Sequence, residues 1–374
     1  MIPVMRPWFG PEEQAAVGEV IASGWVAQGP RVAEFERRFA ASVQARHGVA
    51  ASSCTTALHL ALVLAGIEPG DEVVVPSLSF IATANVVRYV GATPVFADID
   101  PATGNLTAKT VEAARTPRTR AVIVVHQGGV PADVEEIRAA HDGLLLIEDA
   151  ACAAGSTYRD RPVGAGAHLA AWSFHPRKLL TTGEGGMLTT DDPEVAARAK
   201  RLREHGMSVS AADRHASGST APEQYTEVGY NYRMTDLQAA VGLVQLDRLP
   251  EMVARRRALA ARYLNFLGGI PGLTVVRDPE YGTCNFQSFW IALPDDFPMS
   301  RNELLDFLAA RGVSARRGIM AAHLEPAYAG TGARELPATE WLTANSLILP
   351  LFHSMTDAEH DQVVEAIHAA AAGG

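Results

Sequence analysis

The stretch LAAWSFHPRKLLTTGEGG, residues 169–186, joins an apolar run to a glycine-rich turn and carries Lys178 between them. The apolar residues predict a buried strand, and the glycines predict a tight turn after it. We expect a lysine held between such elements to be partly desolvated, which lowers its pKa and frees the amine to attack a carbonyl. Because a lone lysine beside a turn is more often a solvated surface residue, this role depends on the rest of the chain.

A second apolar run, residues 144–147, ends in Glu148 and Asp149. A buried parallel strand is expected there, and ligands of such sheets bind beyond the carboxyl ends of the strands. A strand-end aspartate together with a reactive lysine favours pyridoxal phosphate (PLP), whose ring nitrogen needs an acidic partner to act as an electron sink. The aspartate would also suit Mg²⁺ beside a P-loop, but no G-x-x-x-x-G-K-[ST] motif occurs, which argues against a nucleotide hydrolase.

The composition is that of a soluble globular protein, with 48% hydrophobic and 20% charged residues in 374. A net charge of −10 argues against nucleic acid or an anionic membrane as the main partner. The N-terminus lacks the features of a secretion signal and no run is long enough to span a membrane, so we predict a cytoplasmic protein. The cysteines Cys54, Cys152 and Cys284 are widely spaced, which predicts free thiols and no metal site.

Apolar runs alternate with helical patterns through the first half of the chain. Strands are predicted at residues 48–51, 71–76, 94–97, 121–125, 144–147 and 170–174, with helices near Thr55 and over residues 81–89. Such alternation implies βαβ units and the α/β class, with a mostly parallel central sheet and helices on both faces.

The passage between two domains is predicted around Pro250. The segment from Thr235 to Gln238 matches a capping box and opens a predicted helix to about Leu246, followed by a second from residue 251 to 267. We therefore divide the chain into a large PLP-binding domain, residues 1–248, and a smaller C-terminal α+β domain, residues 249–374. In the latter we predict strands at 274–276 and 289–293 and helices at 301–310 and 357–371. The small, polar residues 208–222 predict a long exposed loop.

Residues 51–60, ASSCTTALHL, lead from a strand into a helix. The N–H groups of Thr55 and Thr56 then lack partners within the helix, and with the helix dipole they make an anion site. The alternative is that Ser53 or Thr55 simply caps the helix. The position of this turn, with the lysine and the aspartate at other strand ends, favours the phosphate of PLP.

Six fragments in one order and spacing resemble the DegT/StrS family of PLP-dependent sugar aminotransferases. The resemblance extends from about Pro7 to His353. The fragments are SGWVAQGP (23–30), SLSFIATAN (77–85), GATPVFAD (91–98), EDAA (148–151), SFHPRK (173–178) and GYNYRMTD (229–236). Each fragment alone is weak evidence for the family, and six fragments in the same order and spacing are strong evidence. The resemblance implies PLP fold type I, the aspartate-aminotransferase type, and a homodimer with shared active sites.

The resemblance also assigns roles to single residues. It implies that Lys178 bonds to the cofactor and later carries the proton, and that Asp149 holds the pyridine nitrogen. It places Phe80 against the ring face, where ordinary core packing is the alternative. It gives the phosphate to Thr55, Thr56 and Ser173 of one subunit and to Asn231 of the other, although an asparagine at that position also suits a turn.

The chain departs from the family pattern at Cys152, where relatives often carry Gln or His near the phenolic oxygen of the cofactor. A thiol is a weak hydrogen-bond partner, and Cys152 also suits a small buried filler. Some relatives dehydrate a sugar instead, with His in place of the lysine or with an iron–sulfur cluster. Lys178 is present and the cluster cysteines are absent, which argues against both variants.

The predicted reaction is a ping-pong transfer of an amino group from L-glutamate or L-glutamine to a keto-sugar, in particular a nucleotide-linked one. A cyclitol or other non-sugar ketone as acceptor, another PLP reaction such as racemisation, and a PLP-binding regulatory protein without turnover are the alternatives. The candidate substrate residues are Arg233, Gln287, Arg316, Arg317 and His323. An arginine among them can hold a carboxylate or phosphate by bidentate contacts, and for each a solvated surface position is the alternative.

Overall fold

The computed structural model describes residues 1–209, 222–331 and 334–373. Most of the predicted loop 208–222 lies outside the described residues. The helices are α1 (Pro11–Ser23), α2 (Pro30–Ser42), α3 (Cys54–Leu64), α4 (Ala82–Tyr89), α5 (Ala108–Ala114), α6 (Val134–Ala140), α7 (Pro193–Leu202), α8 (Asp236–Leu267), α9 (Arg301–Ala310), α10 (Pro337–Asn345) and α11 (Asp357–Ala371). The strands are β1 (His47–Ala51), β2 (Glu72–Pro76), β3 (Thr93–Ala97), β4 (Thr119–Val125), β5 (Leu145–Asp149), β6 (Thr157–Tyr158), β7 (Arg161–Pro162), β8 (Leu169–Ser173), β9 (Gly186–Thr190), β10 (Thr274–Val275), β11 (Gly282–Thr283), β12 (Phe289–Ala292), β13 (Arg316–Arg317) and β14 (Ser346–Leu349).

The central sheet has seven strands in the order β1-β9-β8-β5-β4-β2-β3. Strand β9 runs antiparallel to both of its neighbours, and the remaining neighbours are parallel. The predicted mostly parallel sheet is confirmed, and each of the six predicted strands is present within two residues of its expected bounds. Strand β9 was not predicted.

The strands are continuously apolar because both faces of the sheet are covered. Successive residues of β2 alternate between two buried clusters: Val73 and Val75 belong to the cluster that includes Leu58 of α3, and Val74 belongs to the cluster that includes Phe39 of α2. This alternation is the two-residue period of a strand. The sheet is therefore buried on both faces, and the carboxyl ends of its parallel strands lie along one edge.

Helix α8 is a single helix of 32 residues that contains Pro250. The predicted break at Pro250 was wrong. A proline inside a helix removes one backbone hydrogen bond and costs about 3 kcal/mol, but α8 packs against α1, α2 and α11 along its length, which outweighs that loss. Its predicted capping box is confirmed, since Thr235 Oγ1 accepts from Gln238 N at 3.2 Å. The predicted division between residues 248 and 249 falls inside this helix and stays a prediction.

A second sheet has the strand order β10-β12-β14-β13 and is antiparallel throughout. The helices predicted at residues 301–310 and 357–371 are α9 and α11, with the expected bounds, and α9 packs against β13 and β14. The start of the chain joins this part of the fold, because Ile2 N donates to Gly312 O at 2.7 Å. In the described ranges, no helix combines the length and the apolar character needed to cross a bilayer.

Candidate active site

Three parallel strands deliver the predicted site residues to the same edge of the central sheet. Strand β5 ends at Asp149, β8 ends at Ser173 just before Lys178, and β1 ends at Ala51 just before α3. Strands β1 and β8 both run antiparallel to β9 and so point the same way. A carboxylate, an amine and a helix N-terminus therefore meet where ligands of such sheets bind.

Lys178 follows β8 in a turn that is closed by the bond from its own N–H to His175 O at 2.8 Å. Its Nζ donates to Cys152 Sγ at 3.0 Å. Burial lowers the pKa of Lys178, but Cys152, Cys54 and Asp149 act in the opposite direction and together raise it above its ordinary value. The predicted lowering of this pKa was therefore wrong, because the neighbouring groups outweigh desolvation.

Asp149 is 5% exposed and keeps two hydrogen bonds at its carboxylate. Thr83 Oγ1 donates to Oδ2 at 3.0 Å, and Ala151 N donates to Oδ1 at 3.2 Å. Burial raises the pKa of Asp149, while these two donors and Lys178 oppose the increase. Thr83 was not predicted as a site residue, although it lies within the fragment 77–85; its role depends on a contact across 66 residues of sequence.

The N-terminus of α3 is capped by Ser53, whose Oγ accepts from Thr56 N at 3.2 Å. Thr56 Oγ1 in turn accepts from Ser53 N at 3.1 Å, which completes a capping box. Both polar groups of Thr56 are thus engaged locally, and the N–H groups of Cys54 and Thr55 are the ones in the first turn that have no intrahelical acceptor. The start of the helix lies beside the aspartate, with Cys54 Sγ 4.0 Å from Asp149 Oδ1.

Ser173 reaches the same place through the pairing of β8 with β9, which sets it opposite Gly186. Gly186 passes directly under the start of α3, since a Cβ added there would lie 2.3 Å from the backbone carbon of Ser53. A glycine is required for this close approach. The pairing therefore brings Ser173 near the start of α3, and the phosphate site predicted there stays a prediction.

A cavity of about 830 Å³ extends from Lys178 to the antiparallel sheet. Several predicted residues line it: Phe80, Cys152, Gln287, Arg316 and Arg317. Phe80 is 67% exposed, so it is not the core residue that was the alternative for it. Gln127 and Arg301 also line the cavity and were not predicted. Gln127 follows the end of β4, so the strand-end rule that found Asp149 would have found it as well.

Seven predicted residues do not line this cavity: Thr55, Thr56, Asp149 and Ser173, which are described above, and Asn231, Arg233 and His323. His323 is buried between Ser77 Oγ, 2.5 Å from its Nδ1, and Glu340 Oε1, 3.3 Å from its Nε2. Arg233 is half-buried elsewhere, and Asn231 is exposed in a bridge opposite Glu204. The exposure of Asn231 leaves its amide accessible to another subunit.

The model of the DegT/DnrJ/EryC1/StrS aminotransferase family matches residues 8–368. The chain belongs to this family. It is 41% identical over 373 residues, 98% of this chain and 96% of the relative, to the spore coat polysaccharide biosynthesis protein SpsC of Bacillus subtilis. The resemblance to the family is thereby confirmed, and the chain is an aminotransferase.

Two solved structures place the fold. The PLP form of the putative sugar aminotransferase Spr1654 from Streptococcus pneumoniae superposes with a TM-score of 0.92 at 28% identity, over 99% of this chain and 98% of that one. DesI in the presence of its TDP-sugar product superposes with a TM-score of 0.88 at 34% identity, over 99% and 92%. The fold is PLP fold type I, as predicted, and the family and these neighbours imply PLP as the cofactor.

Proposed function

We propose that this aminotransferase moves an amino group from L-glutamate or L-glutamine to a nucleotide-linked keto-sugar. It acts as a cytoplasmic homodimer whose cofactor sites are shared, with Asn231 of the partner subunit at each phosphate. The observation that carries the proposal is the meeting of the Lys178 amine, the buried Asp149 carboxylate and the start of α3, with Lys178 and its partner Cys152 lining a large cavity.

The residues present fit PLP group by group. An amine faces the cavity for the carbonyl of the cofactor, a buried carboxylate suits a protonated ring nitrogen, and the first turn of α3 with Ser173 suits a phosphate. Phe80 supplies an exposed aromatic face at the cavity wall. When bound, PLP supplies an electron sink for the charge that develops on the substrate carbon.

The side chains of the chain then have separate tasks. Lys178 Nζ moves the proton at the α-carbon of the donor, and later returns one to the acceptor carbon. Asp149 keeps the proton on the ring nitrogen, helped by the hydrogen bond from Thr83 that favours its ionised form. Cys152 occupies the position beside the amine and supports it through the contact at 3.0 Å.

The charge of the cavity supports a phosphate-bearing acceptor. Among the described residues, those that line the cavity include six cationic residues and no Asp or Glu, in a chain whose net charge is −10. The six are Arg177, Lys178, Arg256, Arg301, Arg316 and Arg317. Arg256 is occupied by backbone carbonyls, whereas Arg316 and Arg317 are exposed on β13. A diphosphate carries the charge and the oxygen geometry that arginine binds best, and a cyclitol or simple ketone does not.

The first test is a visible spectrum of the protein loaded with PLP, before and after excess L-glutamate or L-glutamine. We expect the band of the lysine-bound cofactor to disappear with stoichiometric release of the keto acid of the donor. Borohydride reduction followed by peptide mapping should label Lys178 in the wild type, and Lys178→Ala should give neither label nor turnover. A stable band with both donors, or a label on another lysine, would contradict the proposal.

The acceptor is tested separately with keto-sugars linked to nucleotides, the same sugars without the nucleotide, and a cyclitol ketone. We expect turnover with a nucleotide-linked compound and a kcat/KM at least 100-fold lower for the free sugar. Equal kcat/KM values for linked and free sugars would contradict the proposed recognition of the nucleotide, and would still agree with an aminotransferase that acts on sugars.

A further inference from the structure

The side chain of Gln287 bonds to the main chain on both sides of Lys178. Leu179 N donates to Gln287 Oε1 at 2.9 Å, and Gln287 Nε2 donates to Arg177 O at 2.6 Å. The bonded groups belong to the residues directly before and after the lysine. Gln287 is 9% exposed, so water does not readily replace either bond.

The neighbouring Asn285 holds the residue that contacts the lysine amine. Asn285 Nδ2 donates to Cys152 O at 2.9 Å and to Ala154 O at 2.8 Å. The two amides are joined, because Gln287 N donates to Asn285 Oδ1 at 2.7 Å. A segment of three residues therefore fixes both partners of the contact between Lys178 and Cys152.

This segment is anchored on α8 by a buried arginine. Arg256 Nε donates to Phe286 O at 2.8 Å, and Arg256 Nη2 donates to Gln287 O at 2.8 Å. Phe286, which lies between Asn285 and Gln287 in the sequence, has a φ of 51°, a left-handed conformation that costs a bulky residue about 1 to 3 kcal/mol. Backbone strain of this kind persists where the surroundings impose it and is concentrated at functional sites.

We infer that Gln287 is a positioning residue, which sets the Lys178 amine beside Cys152 by holding both flanking peptide groups, and is not the substrate-binding residue that the sequence suggested. Both heavy atoms of its amide are engaged with the lysine turn, so a substrate would have to compete for them. The inference rests on the proposed role of Lys178 as the cofactor lysine.

The test uses the reactivity of Lys178 in cofactor-free protein. The chain has three lysines, Lys109, Lys178 and Lys200, and the two others are exposed, so they are internal references. Acetylation by sulfosuccinimidyl acetate is followed at each lysine by peptide mass spectrometry over a range of pH. Gln287→Met removes both hydrogen bonds while keeping the length and burial of the side chain.

Gln245→Met is the matched control. Gln245 is buried in α8, and its Nε2 donates to Trp8 O and to Glu13 Oε1, both at 2.7 Å, so the same substitution removes two buried bonds away from the lysine. We expect both variants to melt at lower temperature than the wild type. Only Gln287→Met should raise the acetylation rate of Lys178 relative to Lys109, by at least threefold. The apparent pKa of Lys178 should also fall in this variant, because the contact to Cys152 loosens.

Two results would overturn the inference: an unchanged ratio of Lys178 to Lys109 in folded Gln287→Met, or the same increase in Gln245→Met. Should Gln287→Met not fold, Gln287→Asn adds no charge and is one methylene too short to keep both hydrogen bonds, and an unchanged ratio there is equally decisive. The measurement needs no amino transfer. An enzyme that fails with every donor can still show the positioning effect, so the two proposals fail separately.

Discussion

Thr83→Val tests whether the hydrogen bond from the Thr83 hydroxyl keeps the Asp149 carboxylate ionised for the cofactor. The substitution removes the donor to Asp149 Oδ2 at 3.0 Å and leaves the donor from Ala151 N at 3.2 Å. A valine has nearly the same shape as a threonine, so the change is chiefly the loss of the hydroxyl. Because Asp149 is 5% exposed, water cannot take over the bond at low cost.

The size of the effect follows from the hydrogen bond that is lost. A bond to a charged group contributes about 1.5 to 3 kcal/mol, which corresponds to a 10- to 100-fold change in proton affinity, at roughly 1.4 kcal/mol for each tenfold. The pKa of Asp149, already raised by burial, therefore rises further in the variant. Since a protonated Asp149 cannot hold a protonated ring nitrogen, PLP binding should weaken as pH falls through the new pKa.

The assay is the dissociation constant of PLP, measured by absorbance for the wild type and Thr83→Val from pH 6 to 9. We expect the ratio of the two constants to increase toward low pH, because the variant protonates first. Ser79→Ala is the control, since it removes the neighbour 2.8 Å from Thr83 Oγ1 and leaves the bond to Asp149. A variant whose profile superimposes on that of the wild type would refute the reasoning.

Three further predictions concern Cys152, Gly186 and Arg317. Cys152→Ala removes the partner 3.0 Å from Lys178 Nζ, so the pKa of that lysine should fall, as measured by the pH dependence of its acetylation. A raised lysine pKa stabilises the folded protein below the pKa of the unfolded state, and this stabilisation is lost as pH rises through the pKa of the folded state. The stabilisation should therefore be smaller in Cys152→Ala. Gly186→Ala should displace Ser53, since the new Cβ would lie 2.3 Å from its backbone carbon, and weaken PLP binding at least tenfold while affecting phosphate-free pyridoxal less. Arg317→Ala should raise KM for a nucleotide-linked acceptor about tenfold, with the donor half-reaction unchanged in single-turnover assays.

The elements that were predictable are those whose burial produces a recognisable pattern in their own sequence. Strands such as β4 are buried on both faces, so their sequences are continuously apolar and visible without a partner. Strand β9 has the sequence GMLTT, in which only Met187 and Leu188 are apolar, so it lacks the continuous apolar run that would separate it from a loop. Pro250 shows the opposite error: the local rule for proline is sound, but packing along α8 decided the outcome.

The site divides in the same way. The proximity of Asp149 and Lys178 was predictable because each follows an apolar strand, and neighbouring parallel strands end at the same edge of the sheet. Thr83 and Gln287 act through contacts across 66 and 108 residues, and nothing in their immediate neighbours indicates those partners. Gln287 was therefore assigned to the substrate, although both ends of its amide are bonded to the lysine turn.

The raised pKa of Lys178 makes loading of the cofactor dependent on pH. Its amine must be neutral to attack a carbonyl, yet Cys152, Cys54 and Asp149 favour the protonated form, so the reactive fraction is small at neutral pH and grows as pH rises. In the proposed site Asp149 pairs with the protonated ring nitrogen of PLP, and its charge would then no longer favour the protonated lysine. We therefore expect binding of the ring to weaken one of the influences that hold the amine protonated, so that one carboxylate would contribute both to seating the cofactor and to freeing the amine.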